Sequence, residues 1–171
     1  FNATNRMYVM AEGGRFITQF NDQNPITLLQ NSFYTIFFEE NFMKLYEKYY
    51  GEVGWGMEVT NGIFLEASTE YAWRRPLINA PELTPFFVNW QTRNFTSNHP
   101  LEPLTPNAPF TSHTAFIIQL HARFTFGQKY MMRPKLKINY DSKYPVIDLV
   151  YKRGIPEVGS SLPDYDYIQL N

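Results

Sequence analysis

Residues 114–126, TAFIIQLHARFTF, are the clearest indication of the fold in this sequence, because apolar and polar side chains alternate along them. A β-strand directs successive side chains to opposite faces, so this stretch predicts a long strand with one apolar and one polar face. The apolar face carries Phe116, Ile118, Leu120, Ala122, Phe124 and Phe126, and the polar face carries Gln119, His121, Arg123 and Thr125. The run reaches the roughly 9–11 residues with which a tilted strand crosses a bilayer. A long strand of a soluble sheet has the same pattern.

Residues 49–75 predict a hairpin of two long strands. Asn61-Gly62 is a strong signal for a two-residue turn, for which we expect type I′ geometry with positive φ at both residues. The returning strand carries one row with Ile63, Leu65, Ala67, Thr69, Tyr71 and Trp73, and a second row with Phe64, Glu66, Ser68, Glu70, Ala72 and Arg74. Such a hairpin is typical of outer-membrane barrels, and a long hairpin of a soluble sandwich is the alternative.

The remaining segments differ in pattern. Helical spacing of apolar residues near 26–48 predicts one amphipathic helix on a membrane surface or at a barrel mouth, or alternatively a helix packed on a soluble sheet. Residues 76–113 contain seven of the twelve prolines, which predicts a long proline-rich loop. Further strands are expected at 6–20, 144–153 and 166–170, whereas 136–140 fits either a short strand or an extended loop.

Composition excludes several classes of function. Lys plus Arg is 15 and Asp plus Glu is 16, so net charge does not favour a nucleic-acid partner. The chain has no cysteine, which excludes disulfides and thiolate metal sites. No phosphate-binding glycine loop, zinc motif or nucleophile elbow occurs, so we predict no enzymatic activity, no catalytic residues and no cofactor. We expect 1–171 to be a single unit and, since it begins with Phe, a fragment of a larger barrel.

Two groups of polar residues are candidate functional sites. The first is the predicted lumen-facing set, whose members could form an ion-pair network in a barrel or face solvent on a soluble sheet: Glu66, Glu70, Gln119, His121 and Arg123. The second is a candidate patch for anionic headgroups, for which a solvated basic turn is the alternative: Lys129, Arg133, Lys135 and Lys137. No residue spacing predicts a metal site.

Several segments, in this order along the chain, resemble one known family: 13–16 GGRF, 41–50 NFMKLYEKYY, 61–63 NGI, 70–77 EYAWRRPL, 126–130 FGQKY, 137–139 KIN, 142–145 SKYP and 151–155 YKRGI. The chain resembles the C-terminal barrel region of the Bacteroidota outer-membrane protein family of unknown function that carries an N-terminal carboxypeptidase-regulatory-like domain. The resemblance implies an outer-membrane barrel related to surface-antigen and assembly-type barrels.

The sequence therefore predicts an all-β fold, an antiparallel transmembrane β-barrel segment of long hairpins. We expect a part of a non-enzymatic protein of the bacterial outer membrane, with a role in envelope transport or assembly. Its partners would be outer-membrane lipid and the remaining strands of the same barrel or other envelope proteins, with no nucleic acid. The expected lipid-facing residues are Leu65, Tyr71, Trp73, Phe116, Ile118, Leu120, Phe124 and Phe126. The alternative is a soluble β-rich module that binds a glycan or protein through the proline-rich loop.

Overall fold

The structure is a computed structural model of the 171-residue chain. It describes residues 6–21, 25–38, 40–77, 96, 98, 110–134 and 136–171. The chain divides into two compact units: the first comprises 1–14, 50–73 and 113–171, and the second comprises 15–49 and 74–112. The expectation of a single unit spanning 1–171 stays a prediction.

Eight strands, one α-helix and one 3-10 helix follow one another along the described chain. They are β1 (Tyr8–Gln19), α1 (Leu28–Phe38), β2 (Leu45–Thr60), β3 (Ile63–Pro76), β4 (His113–Thr125), β5 (Tyr130–Arg133), β6 (Leu136–Asn139), β7 (Val146–Gly154), the 3-10 helix (Val158–Ser160) and β8 (Tyr165–Leu170). The prediction of a mostly β fold with antiparallel strands and one helix is confirmed. No helix within the described ranges is long and apolar enough to span a membrane.

Six strands form one sheet in the order β1-β2-β3-β4-β7-β8, and β5 pairs with β6 separately. The antiparallel register pairs Leu120 of β4 with Tyr151 of β7, and Tyr151 with Ile168 of β8. Directly paired residues of antiparallel strands share a face. These three side chains therefore lie on one face of the sheet, the face that the alternation in β4 marks as apolar.

Residues 61–62 connect β2 to β3 where the sequence places the turn. Gly62 has a φ of 85°, but Asn61 is not among the residues with positive φ. The expected type I′ geometry is therefore wrong, because that turn requires positive φ at both positions. The amide of Thr125 donates to the carbonyl oxygen of Gly62 at 2.7 Å, so the end of β4 lies directly against this turn.

The helix is shorter than its predicted range near 26–48. It begins after a reciprocal cap in which the amide of Gln30 donates to Thr27 Oγ1 and the amide of Thr27 donates to Gln30 Oε1. After the helix, Asn31 Oδ1 accepts the amides of Phe42 and Met43 at 2.9 and 2.8 Å. These bonds hold residues 42–43 in a non-helical conformation, and β2 has already begun at residue 45.

The second unit contains a buried ion cluster. The side chain of Glu47 is 1% exposed and pairs with Arg15 and with Arg75, the latter at 2.6 Å. Beside it, the rings of Phe20 and Tyr46 lie 4.8 Å apart between centroids, and Phe110 packs edge-on against Phe20. A buried carboxylate requires such partners because its desolvation is costly.

The predicted proline-rich loop at 76–113 lies mostly outside the described residues. β3 ends at Pro76, and β4 begins at residue 113. Of the intervening positions, Asn98 accepts the amide of Leu45 at 2.8 Å and donates to the carbonyl oxygen of Leu77 at 3.0 Å. The side chain of Asn98 therefore connects this part of the segment to other residues of the second unit.

Burial across the sheet is inverted relative to that of a soluble sheet. Along residues 53–59 of β2 the exposed residues are Val53, Trp55 and Val59, and the buried ones are Gly54, Gly56 and Glu58. Among all described residues the buried polar ones are Asn41, Glu47, Glu58, Ser68, Asn98 and Ser161, and the buried hydrophobic ones are Met43, Tyr46, Ala72 and Ala115. Soluble domains bury mainly large aliphatic and aromatic side chains, whereas in this stretch of the sheet the apolar row is the more exposed one and the row with Gly54, Gly56 and Glu58 is the more buried one.

We expect Gly62→Val to weaken the β2–β3 hairpin. A Cβ at this position would overlap the carbonyl oxygen of Thr125, and a φ of 85° is strained for a β-branched residue. The free energy of unfolding should fall by about 3 kcal/mol or more in equilibrium denaturation. Gly51→Val is the matched control, because nothing lies within 4 Å of its Cβ position, and it should change stability by less than about 0.5 kcal/mol. Equal losses in both variants would contradict the strain at Gly62.

Candidate functional site

The polar face of the first unit brings several predicted lumen-facing residues together around Asp148. Register pairs Arg123 of β4 with Asp148 of β7, and Arg123 Nε donates to Asp148 Oδ1 at 2.8 Å. Nε2 of His121 lies 2.7 Å from the same oxygen. Nδ1 of His121 is 4.0 Å from Glu66 Oε2, and Tyr8 hydrogen-bonds to the Glu66 carboxylate. The result is one polar network that connects β1, β3, β4 and β7.

Asp148 was not identified by the sequence analysis, although it is the centre of this network. It lies within the predicted strand 144–153, between Ile147 and Leu149, and the alternation there places it on the polar face. Arg123 requires an acidic partner on a neighbouring strand, and this requirement could have pointed to Asp148. The order of the strands was required to choose the partner.

The remaining predicted lumen-facing residues are adjacent to this network. Gln119 pairs in register with Lys152 of β7, on the same face as His121. Glu70 lies four residues after Glu66 in β3 and therefore on the same face of that strand.

A second polar contact lies near the turn between β2 and β3. Lys137 Nζ of β6 is 2.6 Å from Glu58 Oε1 of β2, and the two side chains are 9% and 5% exposed. The same carboxylate oxygen accepts the amide of Gly62 at 3.3 Å. Lys137 Nζ also lies 4.5 Å from the centre of the Tyr130 ring, a favourable cation–π distance. The β5–β6 hairpin is thereby attached to the main sheet by a buried ion pair.

This ion pair changes the interpretation of the predicted headgroup patch. Lys137 is buried with Glu58 and cannot present its charge to a lipid headgroup in this arrangement. Lys129 and Arg133 are exposed, and Lys135 lies outside the described residues. The sequence prediction grouped these residues because they are close along the chain. In a hairpin, however, successive side chains point to opposite faces, so neighbours in sequence need not form one patch.

A cleft of about 540 Å³ lies beside the same turn on the polar face. Residues that line it include Arg6, Glu58, Phe64, Asn139, Tyr140 and Asp148. Within the described part of the chain, no group of three or more His, Asp and Glu residues is arranged to hold a metal ion. The cleft therefore offers hydrogen-bonding groups and aromatic faces.

The expected lipid-facing residues belong to the apolar rows of β3 and β4 and to the turn that follows β4, and their contact with lipid stays a prediction. Leu65, Tyr71, Trp73, Leu120 and Phe126 are exposed. The other three are half-buried: Phe116, Ile118 and Phe124. Register extends this apolar surface from β4 onto β7 and β8 through Ile147, Leu149, Ile168 and Leu170, all of them exposed.

A family model for the C-terminal domain of a family of unknown function, DUF5686, matches residues 1–171. The chain belongs to this family. The predicted membership in the C-terminal region of a family of unknown function is thus confirmed, while its source organism and cellular location stay predictions. No curated protein and no solved structure matches the chain.

We expect Lys137→Met to destabilise this DUF5686 C-terminal domain strongly. The substitution leaves the buried Glu58 carboxylate without its cation, which costs about 3–5 kcal/mol in equilibrium unfolding. Lys129→Met, at an exposed position of the same segment, should change stability by no more than about 0.5 kcal/mol. The double variant Glu58→Leu/Lys137→Met should recover most of the loss. If Lys137→Met is as stable as the control, the buried pair does not fix the β5–β6 hairpin.

Proposed function

We propose that this chain is part of a non-enzymatic β-barrel of the bacterial outer membrane, with a role in envelope transport or assembly. The observation that carries the proposal is the inverted burial of the sheet. Its exposed face is apolar from β2 to β8, and its opposite face holds the Asp148 network and the Glu58–Lys137 pair. A barrel wall has this distribution, with lipid outside and polar groups inside.

Strand length supports the same function. β1 to β4 contain 12, 16, 14 and 13 residues. A strand tilted by about 45° needs roughly 9–11 residues to cross the hydrocarbon layer. These strands therefore suffice to cross a bilayer and to extend beyond it on at least one side.

The residues at the ends of the apolar face are also of the kinds found at membrane interfaces. Tyr71 and Trp73 lie near the end of β3, and the Tyr71 hydroxyl donates to the carbonyl oxygen of Gly159 at 2.7 Å. Aromatic residues with a satisfied polar tip are enriched where the hydrocarbon layer meets the headgroups. On β7, Arg153 lies opposite Ile118 of β4 in the register of the sheet. Arg153 forms ion pairs with Asp164 and Asp166, so charged groups replace apolar ones at this position of the apolar face.

The polar face of the sheet supports the proposed role in transport or assembly. The described sheet has β1 and β8 as its terminal strands. Six strands are fewer than the 8 of the smallest common barrels. The proposed partners are therefore outer-membrane lipid and further strands, supplied by the same barrel or by other envelope proteins.

Leu120→Arg in the full-length protein should impair membrane assembly. Leu120 is 47% exposed on the apolar face near the middle of β4, where an arginine costs about 2–4 kcal/mol at the bilayer midplane. The neighbouring Gln119→Arg points to the polar face and should assemble normally. Folding yield into lipid vesicles measures both variants. Equal yields for the two would contradict the assignment of the faces.

The second test is the behaviour of residues 1–171 on their own. Because the exposed face is apolar and the edges of the sheet are unpaired in this proposal, we expect aggregation in buffer and recovery in detergent. In cells, the full-length protein should fractionate with the outer membrane. A monodisperse monomer that unfolds cooperatively without detergent would instead favour a soluble β-rich module that binds a glycan or protein.

A further inference from the structure

The polar side chains of α1 are directed toward the protein. Asn31 Oδ1 accepts the amides of Phe42 and Met43, and Thr35 Oγ1 donates to the carbonyl oxygen of Glu40 at 3.2 Å. Asn31 and Thr35 are four positions apart, so they lie on the same side of the helix. Both are half-buried, and this side of α1 is therefore the one that packs on the segment 40–43.

The opposite side of α1 is apolar and exposed. Leu29, Phe33 and Ile36 recur at helical spacing on that side and are 82%, 52% and 38% exposed. A helix on the surface of a soluble domain has the reverse arrangement, with its apolar side packed on the core and its polar side in water. The orientation of α1 is therefore inverted, and its outward side requires an apolar environment.

The width of the apolar surface indicates what kind of environment covers it. The exposed apolar residues of α1 are Leu28, Leu29, Phe33, Tyr34, Ile36 and Phe37. At about 100° per residue they span an arc of about 240°, from Leu28 to Tyr34. A helix that packs on one protein surface needs an apolar stripe of only about 100°. A single flat partner, such as a second copy of this chain, would leave much of the arc in water, whereas fluid lipid surrounds a helix on every exposed side.

The polar groups and the length of α1 fit the interfacial layer of a membrane. Within the arc, Gln30 Oε1 accepts the amide and the hydroxyl of Thr27 at 3.1 and 3.0 Å, and Ser32 is small and uncharged. The helix has 11 residues, whereas a helix that crosses a bilayer needs roughly 20. An apolar helix of this length lies along the membrane surface and does not cross the membrane.

We propose that α1 lies in the interfacial layer of a lipid membrane, with Leu29, Phe33 and Ile36 directed toward the acyl chains. Asn31 and Thr35 attach the helix to the protein through their hydrogen bonds. Because α1 has no charged residue, its contact is with acyl chains and does not require anionic headgroups. The inference goes beyond the proposed barrel, since α1 requires a membrane surface but no strand that spans it.

Spin-label accessibility in vesicles of neutral phosphatidylcholine tests the position of α1. The 171 residues contain no cysteine, so Phe33→Cys, Leu120→Cys and Lys129→Cys each provide one labelling site in the full-length protein, after any cysteine elsewhere is replaced by serine. Oxygen concentrates among acyl chains and a neutral nickel chelate stays in water, so the ratio of their collision rates with the label distinguishes lipid from water. We expect a ratio several-fold higher at Phe33 than at the exposed Lys129.

A second measurement separates membrane contact from folding. With the label at Ile36→Cys, the additional change Phe33→Glu should lower the ratio to the value at Lys129, because a carboxylate among acyl chains is costly. The helix itself should persist, since glutamate forms helices at least as well as phenylalanine and position 33 is exposed. Phe33→Leu is the matched control, which keeps the position apolar and should leave the ratio high.

The inference is overturned if the nickel chelate reaches the label at Phe33 as readily as the label at Lys129. Exclusion of both reagents from Phe33 also overturns it, because the helix is then covered by a second copy or by another part of the protein. Equal ratios for Phe33→Glu and Phe33→Leu contradict it as well.

The label at Leu120 reports on the proposed barrel separately. A high ratio at Leu120 with a low ratio at Phe33 removes the inference about α1 and leaves the barrel proposal intact. A high ratio at Phe33 with a low ratio at Leu120 supports the inference about α1 and contradicts the barrel.

Discussion

The antiparallel register of β4 with β7 is the constraint on which the two faces of this sheet depend. Pairing Arg123 with Asp148 places both on the polar face, and pairing Leu120 with Tyr151 places both on the opposite face. Because side chains alternate with a period of two, a slip of one residue would exchange the faces of the whole strand. His121 and Arg123 both reach Asp148 Oδ1 in the observed register, so this polar network and the strand pairing stabilise each other.

In the proposed barrel, the apolar face of the sheet would lie against lipid rather than water. Exposed apolar surface is unfavourable in water by about 25 cal/mol per Å², whereas in a bilayer it has no such cost. The polar face satisfies its charges internally, through Glu58 with Lys137 and Asp148 with Arg123. In the same proposal, these ion pairs would organise the inner surface of the barrel wall. Glu58 Oε2 is the exception, because it is buried and accepts no hydrogen bond from a described residue.

The local sequence pattern was sufficient to predict some secondary-structure elements and misleading for others. The alternation at 114–126 located β4 to within one residue at each end. The helical spacing near 45–48 was misleading, because apolar residues spaced three or four apart also occur in strands, and these residues pair as β2. The β5–β6 hairpin was only half recognised, since four-residue strands are too short for a period to be distinguished from a loop.

Sequence alone is sufficient for the family, the mostly β content, the two-residue connection at 61–62 and the division of each long strand into an apolar and a polar row. The division into rows is local, because each strand residue fixes the direction of its own side chain. Which polar groups meet depends on the tertiary structure. Lys137 reaches Glu58 across 79 positions, and His121 reaches Asp148 across 27. Such pairs depend on strand order and register, which are set by contacts summed over the whole sheet. The residue pattern of a single strand therefore does not predict them.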